Sequence, residues 1–384
     1  MRRTVLVTGA GGAGRTTVAA ATALAAARAG HRTLLLSADP LAAAATADAD
    51  GPRLVTAAPG PCSRAALLTL QQRGRAALDL LGAQPLEEDE LTELPGAASF
   101  AVLHALHTAH AEPDGAWDVL VADLPPVPDA VHLLALPGQL ARCLRRLLPP
   151  ERQAARALRP LLAQLAGVPM PAEWLYDAAG RGQAVLAGIV RVLRAPGTSA
   201  HLVVTPEPGA PDAVRETRAG LALHGVPLDG VTVNRLLPAE SPDPYLRGLG
   251  TAQREVVQTL RGGADTVPVR ELPWRPEAPR TADGLRALDV PAPTTPGPAP
   301  GPYVEDHRAV DGLLVWRLPL PGATKARTEL LRRGDEIIVT TGPYRRALPL
   351  EGALTRCTVA GARLADGELT VRFRPDPALW PRGR

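Results

Sequence analysis

Residues 4–17 read TVLVTGAGGAGRTT, a short apolar run followed by a glycine-rich loop and a pair of threonines. The apolar run is typical of a buried strand. In a loop of this kind the backbone N–H groups converge on phosphate, and the helix that follows directs its positive end toward the same point. The stretch therefore predicts a phosphate-binding strand–loop–helix unit that opens a parallel α/β sheet.

The loop fits two phosphate-binding motifs. The nucleoside-triphosphate motif G-x-x-x-x-G-K-[ST] is matched at both glycines and at Thr16, but its lysine is replaced by Arg15. The dinucleotide motif G-x-G-x-x-G is matched by residues 9–14, and Asp39 ends the next apolar run, where a ribose-binding acid is expected. From these features alone an ATP-type site and an NAD-type site are equally supported.

Composition favours an ordinary globular protein in a reducing, cytoplasmic compartment. The chain has 384 residues, of which 46% are hydrophobic and 3% aromatic, and a net charge of +3. Arginines alternate with acids over most of the chain, so we expect no nucleic-acid partner. The three cysteines are isolated, which disfavours a zinc site and a disulfide framework. The first strand begins at the N-terminus, leaving no room for a signal peptide, and no apolar run reaches the roughly 20 residues of a membrane span.

Strand-length apolar runs recur along the first three quarters of the chain. They cover residues 33–37, 118–122, 201–205 and 231–233, with helical sequence at 18–28 and 211–224 and a Leu- and Arg-rich helical insert at about 138–195. Alternating strands and helices are typical of a doubly wound, mostly parallel sheet flanked by helices. We assign this domain to residues 1–290.

The last part of the chain has a different pattern. A proline-rich linker is expected at residues 291–304. Residues 305–384 contain short apolar runs separated by Gly and Pro, with a hairpin turn at 341–343. They predict a small all-β sandwich.

Asp123 favours the ATP-type site over the NAD-type site. It follows the apolar run 118–122 and precedes a Leu-Pro-Pro sequence. An acid in this position is the Walker B arrangement, which holds Mg²⁺ through water opposite the loop hydroxyl of Thr16. An acid that caps the next turn is the alternative. A dinucleotide site requires neither residue, so an NAD-binding oxidoreductase remains only as a remote alternative.

Several segments resemble, in order, those of the ArsA and tail-anchored-protein-targeting family of P-loop ATPases, the SIMIBI-class enzymes with a deviant Walker A motif. These segments are 37–40 (SADP, switch I), 94–96 (LPG), 117–126 (WDVLVADLPP), 133–137 (LLALP), 203–208 (VVTPEP) and 231–238 (VTVNRLLP). The resemblance spans about residues 4–290.

The resemblance implies an ATP site with Mg²⁺. The residues implied in nucleotide binding are Gly9, Gly11, Gly12, Ala13, Gly14, Arg15, Thr16, Thr17, Asn234 and Arg235. Thr16 and Asp123 would hold the metal. Asp39 would orient the attacking water. Asn234 would hydrogen-bond the adenine, although a turn residue is an alternative explanation for it, as a helix cap is for Asp39.

Departures from the family pattern indicate weak activity. The two lysines of the family signature K-G-G-x-G-K-[ST] are Ala10 and Arg15. In the family the first lysine reaches across a dimer to the partner's phosphates. The switch I histidine is Ala42, and the switch II Thr-Gly-His is 127–129 (VPD). We therefore expect an ATPase that is weak or depends on pairing, as a homo- or heterodimer with a homologous ATPase, and that couples nucleotide state to a protein client. The alternative is a nucleotide-insensitive pseudo-ATPase that acts as a chaperone-like binding subunit.

The C-terminal segment resembles a small heat-shock (α-crystallin) domain. The resemblance rests on 318–322 (LPLPG) and 362–369 (ARLADGEL), and the tail lacks an I-x-I anchor. We therefore expect an accessory domain docked on the ATPase domain. The Leu- and Arg-rich helix at 138–165 is interpreted as an amphipathic helix packed on the sheet, with a client or membrane-surface patch as the alternative.

Overall fold

The computed structural model describes most of both predicted domains. It describes residues 2–48, 50–56, 97–113, 116–147, 173–238, 240–262, 267–294, 296 and 301–380, together with residues 68, 72, 84, 87 and 90. The predicted LPG element at 94–96 lies outside the described residues, as does the section 148–172 of the helical insert.

A seven-stranded sheet forms the centre of the first domain. Its strands are β1 (Arg3–Gly9), β2 (Thr33–Ser37), β3 (Arg53–Thr56), β4 (Val119–Asp123), β5 (Thr198–Val204), β6 (Leu228–Leu236) and β7 (Val269–Pro273). They lie in the order β3-β2-β4-β1-β5-β6-β7, and every neighbouring pair is parallel. The central strands are buried on both faces, which explains why they read as continuous apolar runs.

Helices cover both faces of this sheet. They are α1 (Arg15–Arg28), α2 (Ala97–Ala111), α3 (Asp129–Leu147), α4 (Glu173–Leu193), α5 (Ala210–Leu223), α6 (Pro244–Arg261) and α7 (Ala282–Arg286). One apolar cluster joins the sheet to α1 and α7, and a second joins its other face to α2 through α6. The predicted doubly wound α/β fold is confirmed. None of the helices in the described part of the chain combines the length and the apolar character needed to cross a membrane.

The C-terminal residues form two antiparallel sheets. Their strands are β8 (Tyr303–His307), β9 (Leu313–Pro319), β10 (Thr328–Arg333), β11 (Glu336–Thr341), β12 (Tyr344–Pro349), β13 (Cys357–Ala365) and β14 (Glu368–Pro375). One sheet has the order β10-β11-β12 and the other β13-β14-β9-β8. The predicted hairpin turn joins β11 to β12, with Gly342 at φ 55°, a left-handed conformation that favours glycine. The predicted all-β fold is confirmed.

The β domain packs on α3 and α5 through the tyrosine that follows the hairpin turn. The Tyr344 ring lies directly over Gly220, where a Cβ atom would come within 2.3 Å of the ring. The His132 ring packs against the same tyrosine in a T-shaped arrangement, with the ring centroids 5.6 Å apart. Burial at this contact raises the pKa of Tyr344 to about 12.

Ion pairs surround this apolar contact. Arg327 donates to both carboxylate oxygens of Glu216 on α5, at 2.8 and 2.9 Å. Glu336 on β11 accepts hydrogen bonds from Arg142 and Arg146 of α3. Two arginines of the Leu- and Arg-rich helix therefore contact the β domain.

Replacement of Gly220 by Ala tests this docking. The added methyl group overlaps the Tyr344 ring, so we expect Gly220→Ala to lower stability by about 1–3 kcal/mol, a typical cost of overpacking. Thermal unfolding measures the effect. Gly182→Ala is the matched control, because a Cβ at this helical glycine meets only Leu144, at an ordinary 3.8 Å. We expect the control to be neutral or stabilising by roughly 0.5–1 kcal/mol. Equal stability of the two variants would contradict the described contact.

Candidate nucleotide-binding site

The glycine-rich loop begins where β1 presses against β5. Gly9 has φ 157°, and a Cβ atom there would lie 1.9 Å from the carbonyl oxygen of Val203. The amide of Ala10 donates to the same oxygen, at 3.0 Å. Only glycine fits position 9, and the chain leaves the sheet there in a fixed direction.

The loop ends at the N-terminus of α1. Gly14 has φ 93°, and the helix begins at Arg15. Within the described part of the chain, no side chain caps this end and no acid lies in the first helical turn. The first backbone N–H groups of a helix have no acceptor within it. The loop and the first turn, which include Gly11, Gly12, Thr16 and Thr17, therefore offer donors and positive potential to an anion.

Side chains from three segments meet at the end of β4. The hydroxyl of Thr16 donates to Oδ2 of Asp123 at 2.8 Å and lies 3.4 Å from Oδ2 of Asp39. The hydroxyl of Ser37, at the end of β2, donates to the same Asp123 oxygen at 2.9 Å. This convergence follows from the strand order, because β4 lies between β2 and β1. The predicted residues Thr16, Asp39 and Asp123 are thus brought together.

One oxygen of Asp123 has no hydrogen-bond donor. Oδ1 is buried, and no partner reaches it among the described residues. Burial raises the pKa of Asp123, against the opposing effect of the hydrogen bonds from Thr16 and Ser37. Mg²⁺ prefers hard oxygen ligands, a carboxylate among them. The free carboxylate oxygen and the neighbouring threonine hydroxyl therefore fit a magnesium ion.

Arg15 extends across the site toward β4. Its guanidinium donates to the carbonyl of Leu124, and Nη1 lies 3.9 Å from Oδ1 of Asp123. At this distance the arginine attracts the carboxylate without a hydrogen bond to it. The guanidinium therefore favours the ionised acid, although burial has the larger effect and the pKa of Asp123 stays raised.

Asn234 lies against the glycine-rich loop. Its Nδ2 donates to the carbonyl of Ala13 at 2.8 Å, and its Oδ1 accepts from the amide of Arg235 at 2.9 Å. The pairing of β6 with β7 shifts register here, and Arg235 has φ 66°. A bulge of this kind re-aims a side chain. The side chain of Arg235 is exposed at the same edge of the sheet. The contact of Asn234 with adenine stays a prediction.

Asp39 caps a helix and also faces the site, whereas its role in orienting water stays a prediction. Its Oδ1 accepts from the amide of Leu41 and caps the 3₁₀ helix Pro40–Ala47, while Oδ2 faces Thr16. Ala42, which replaces the family's histidine, is buried within this 3₁₀ helix. Asp39 is therefore held in place as a cap with one oxygen directed into the site.

Ser37 is the residue of this cluster that the sequence motifs did not single out as a site residue. It ends β2 and is fully buried, yet it bonds to both acids of the site, through the Asp123 carboxylate and the Asp39 amide. A hydroxyl residue at the end of an apolar strand, two residues before an acid, was the available signal.

The sequence matches two family models. The model described as anion-transporting ATPase covers residues 2–49 and 64–290, and the HSP20-like domain found in ArsA covers residues 311–373. The chain therefore belongs to the ArsA family of anion-transporting ATPases, in the form that carries a C-terminal HSP20-like domain.

Relatives align over nearly their whole length. An uncharacterised protein of Streptomyces coelicolor is 51% identical, with 100% of both chains covered. A protein of Mycobacterium tuberculosis is 32% identical over 99% of this chain and 97% of its own. A protein of Aquifex aeolicus, provisionally named an arsenical pump-driving ATPase, is 25% identical over 96% of this chain and 99% of its own.

Asp123 predicts an unusual pH dependence of stability. Its pKa is raised above the ordinary 3.8, so the folded protein holds this proton more tightly than the unfolded chain does. Stability is therefore lost as the pH rises from about 3.8, the ordinary pKa, through the higher pKa of the folded state. We expect Asp123→Asn, without nucleotide, to become increasingly stable relative to wild type as the pH rises from 4 to 7.5. Thermal unfolding at several pH values measures this trend.

Asp118 provides a control of opposite sign. Hydrogen bonds from Arg32 hold its pKa well below the usual range. Its contribution to stability is therefore present above the unfolded pKa and lost as the pH falls. Asp118→Asn should lose stability relative to wild type toward neutral pH. Parallel pH profiles for the two variants would contradict this description of the site.

Proposed function

We propose that the chain binds ATP with Mg²⁺ and is an ArsA-like ATPase whose turnover is weak or depends on a partner. The observation that carries the proposal is the buried Asp123 carboxylate, which faces the Thr16 hydroxyl at the N-terminus of α1. Among the described residues, no hydrogen-bond donor reaches its Oδ1 and no side chain caps that helix end. A phosphate-bound metal ion would satisfy both features at once.

Each part of the site has a distinct role in this proposal. The backbone amides of residues 11–17 bind the phosphates, and Thr16 and Asp123 hold Mg²⁺, which when bound neutralises phosphate charge. Asp39 orients the attacking water through the carboxylate oxygen that its capping contact leaves free. Asn234 and Arg235 bind the nucleoside end. This assignment of Asn234 is supported by its position against the loop at Ala13.

Turnover is limited by the missing lysines. Ala10 offers no cation to a partner's phosphates, and the planar guanidinium of Arg15 is bulkier than an ammonium group. In GTPases a cation supplied in trans raises the rate of hydrolysis by about 10³–10⁵-fold. A homologous ATPase that retains both lysines would supply this charge within a heterodimer, and a protein client would bind according to nucleotide state.

The position of Arg15 favours a second candidate function. Its guanidinium is engaged by Leu124 and lies near Asp123, so the acid of the site already has a counter-ion. In a nucleotide-insensitive pseudo-ATPase this contact would be permanent, and the chain would act as a chaperone-like binding subunit. Nucleotide titration separates the two candidates.

Calorimetry and ATP hydrolysis test the proposal together. Wild type is expected to bind Mg·ATP and to hydrolyse it slowly. The double variant Ala10→Lys/Arg15→Lys restores both cations, and we expect it to hydrolyse ATP at least about tenfold faster, a small part of what a positioned cation contributes. Arg28→Lys, the same exchange at the other end of α1, is the control and should leave the rate unchanged.

Failure to bind Mg·ATP, both alone and when mixed with a homologous ATPase, would overturn the proposal and leave the second candidate. Binding with no gain in the double-lysine variant would show that the remaining groups of the site do not support hydrolysis.

A further inference from the structure

The hydroxyl of Ser37 connects the two acids of the site. Ser37 is 1% exposed and ends β2. Its Oγ donates to Oδ2 of Asp123 at 2.9 Å and accepts from the backbone amide of Asp39 at 3.1 Å. One side chain therefore bridges the segment that carries Asp39 and the strand that carries Asp123.

The protons of this bridge fix the orientation of Asp123. A serine hydroxyl has one proton to donate, and here it goes to Oδ2. Thr16 donates to the same oxygen, so two donors hold Oδ2 and Oδ1 is left as the free acceptor. Loss of the Ser37 hydroxyl would remove one of the two hydrogen bonds to Oδ2 of Asp123. It would also remove the acceptor of the Asp39 amide.

A second buried serine–carboxylate pair shows what is distinctive here. Ser199 is fully buried and donates to Asp229 on β6. The Asp229 carboxylate is also bound by Arg3 and by His201, so both of its oxygens have partners within the protein. Asp123 shares the serine contact, but no hydrogen-bond donor of the described residues reaches its Oδ1. This oxygen of Asp123 is therefore available to bind a ligand.

We propose that Ser37 is a positioning residue for the divalent cation, holding the free oxygen of Asp123 toward the metal and fixing Asp39 beside it. The proposal rests on the function proposed above, since the cation is the one that accompanies the nucleotide. Partners that orient metal ligands typically contribute 10–100-fold to metal affinity. Ser37 should therefore affect the part of nucleotide affinity that depends on Mg²⁺.

The test is the affinity for the non-hydrolysable analogue AMP-PNP, measured by calorimetry with Mg²⁺ and with EDTA. In Ser37→Ala we expect the tightening that Mg²⁺ produces to fall by about 10–100-fold. Affinity in EDTA should stay within about twofold of wild type, because the backbone amides of the loop are unchanged. Ser37→Cys, close to serine in size but a weak donor, should behave in the same way.

Ser199→Ala is the matched control. It removes a buried serine–carboxylate hydrogen bond outside the site, and we expect it to keep the full Mg²⁺ dependence. A Mg²⁺ effect in Ser37→Ala and Ser37→Cys equal to that in wild type overturns the proposal but leaves the proposed function standing. Absence of AMP-PNP binding by wild type under both conditions overturns both.

Discussion

The site depends on a buried carboxylate whose hydrogen bonding is incomplete. Oδ2 of Asp123 accepts two hydroxyl protons, while Oδ1 is reached by no donor within the described residues. An ionised carboxylate in such surroundings is costly unless a cation compensates it, and Arg15 at 3.9 Å does so only in part. The sheet creates the arrangement, because β4 lies between β2 and β1 and Asp123 is therefore flanked by Ser37 and by the loop.

The backbone of the loop favours phosphate binding, whereas its side chains disfavour efficient hydrolysis. The geometry suits a phosphate: Gly9 lies against Val203, Gly14 precedes the helix, and no side chain of the described residues caps the helix end. The chemistry has changed, because the side chain at position 15 is an arginine that contacts Leu124 and lies near Asp123. The backbone donors that would bind a nucleotide are retained, whereas the lysine cations that would speed its hydrolysis are missing. This combination supports the proposed nucleotide binding with slow turnover.

The sequence predicted what is local and left out what is distant. Residues 4–17, the parallel sheet and the hairpin turn at Gly342 follow from periodicity and turn chemistry. The short strands β3 and β7 were not predicted, since four or five residues at a sheet edge give little pattern. The docking of Tyr344 on Gly220 and the contact of Asn234 with Ala13 join residues more than a hundred positions apart. Such pairs exist only after folding.

A crystal structure of the chain with AMP-PNP and Mg²⁺ would show whether the loop and Asp123 bind a nucleotide together with its metal ion. We expect a triphosphate along the amides of residues 11–17 and a metal ion held by Thr16 and Asp123, with Arg15 moved from the Leu124 carbonyl to the phosphates. An empty loop under saturating nucleotide, with Arg15 still bound to Leu124, would contradict this expectation.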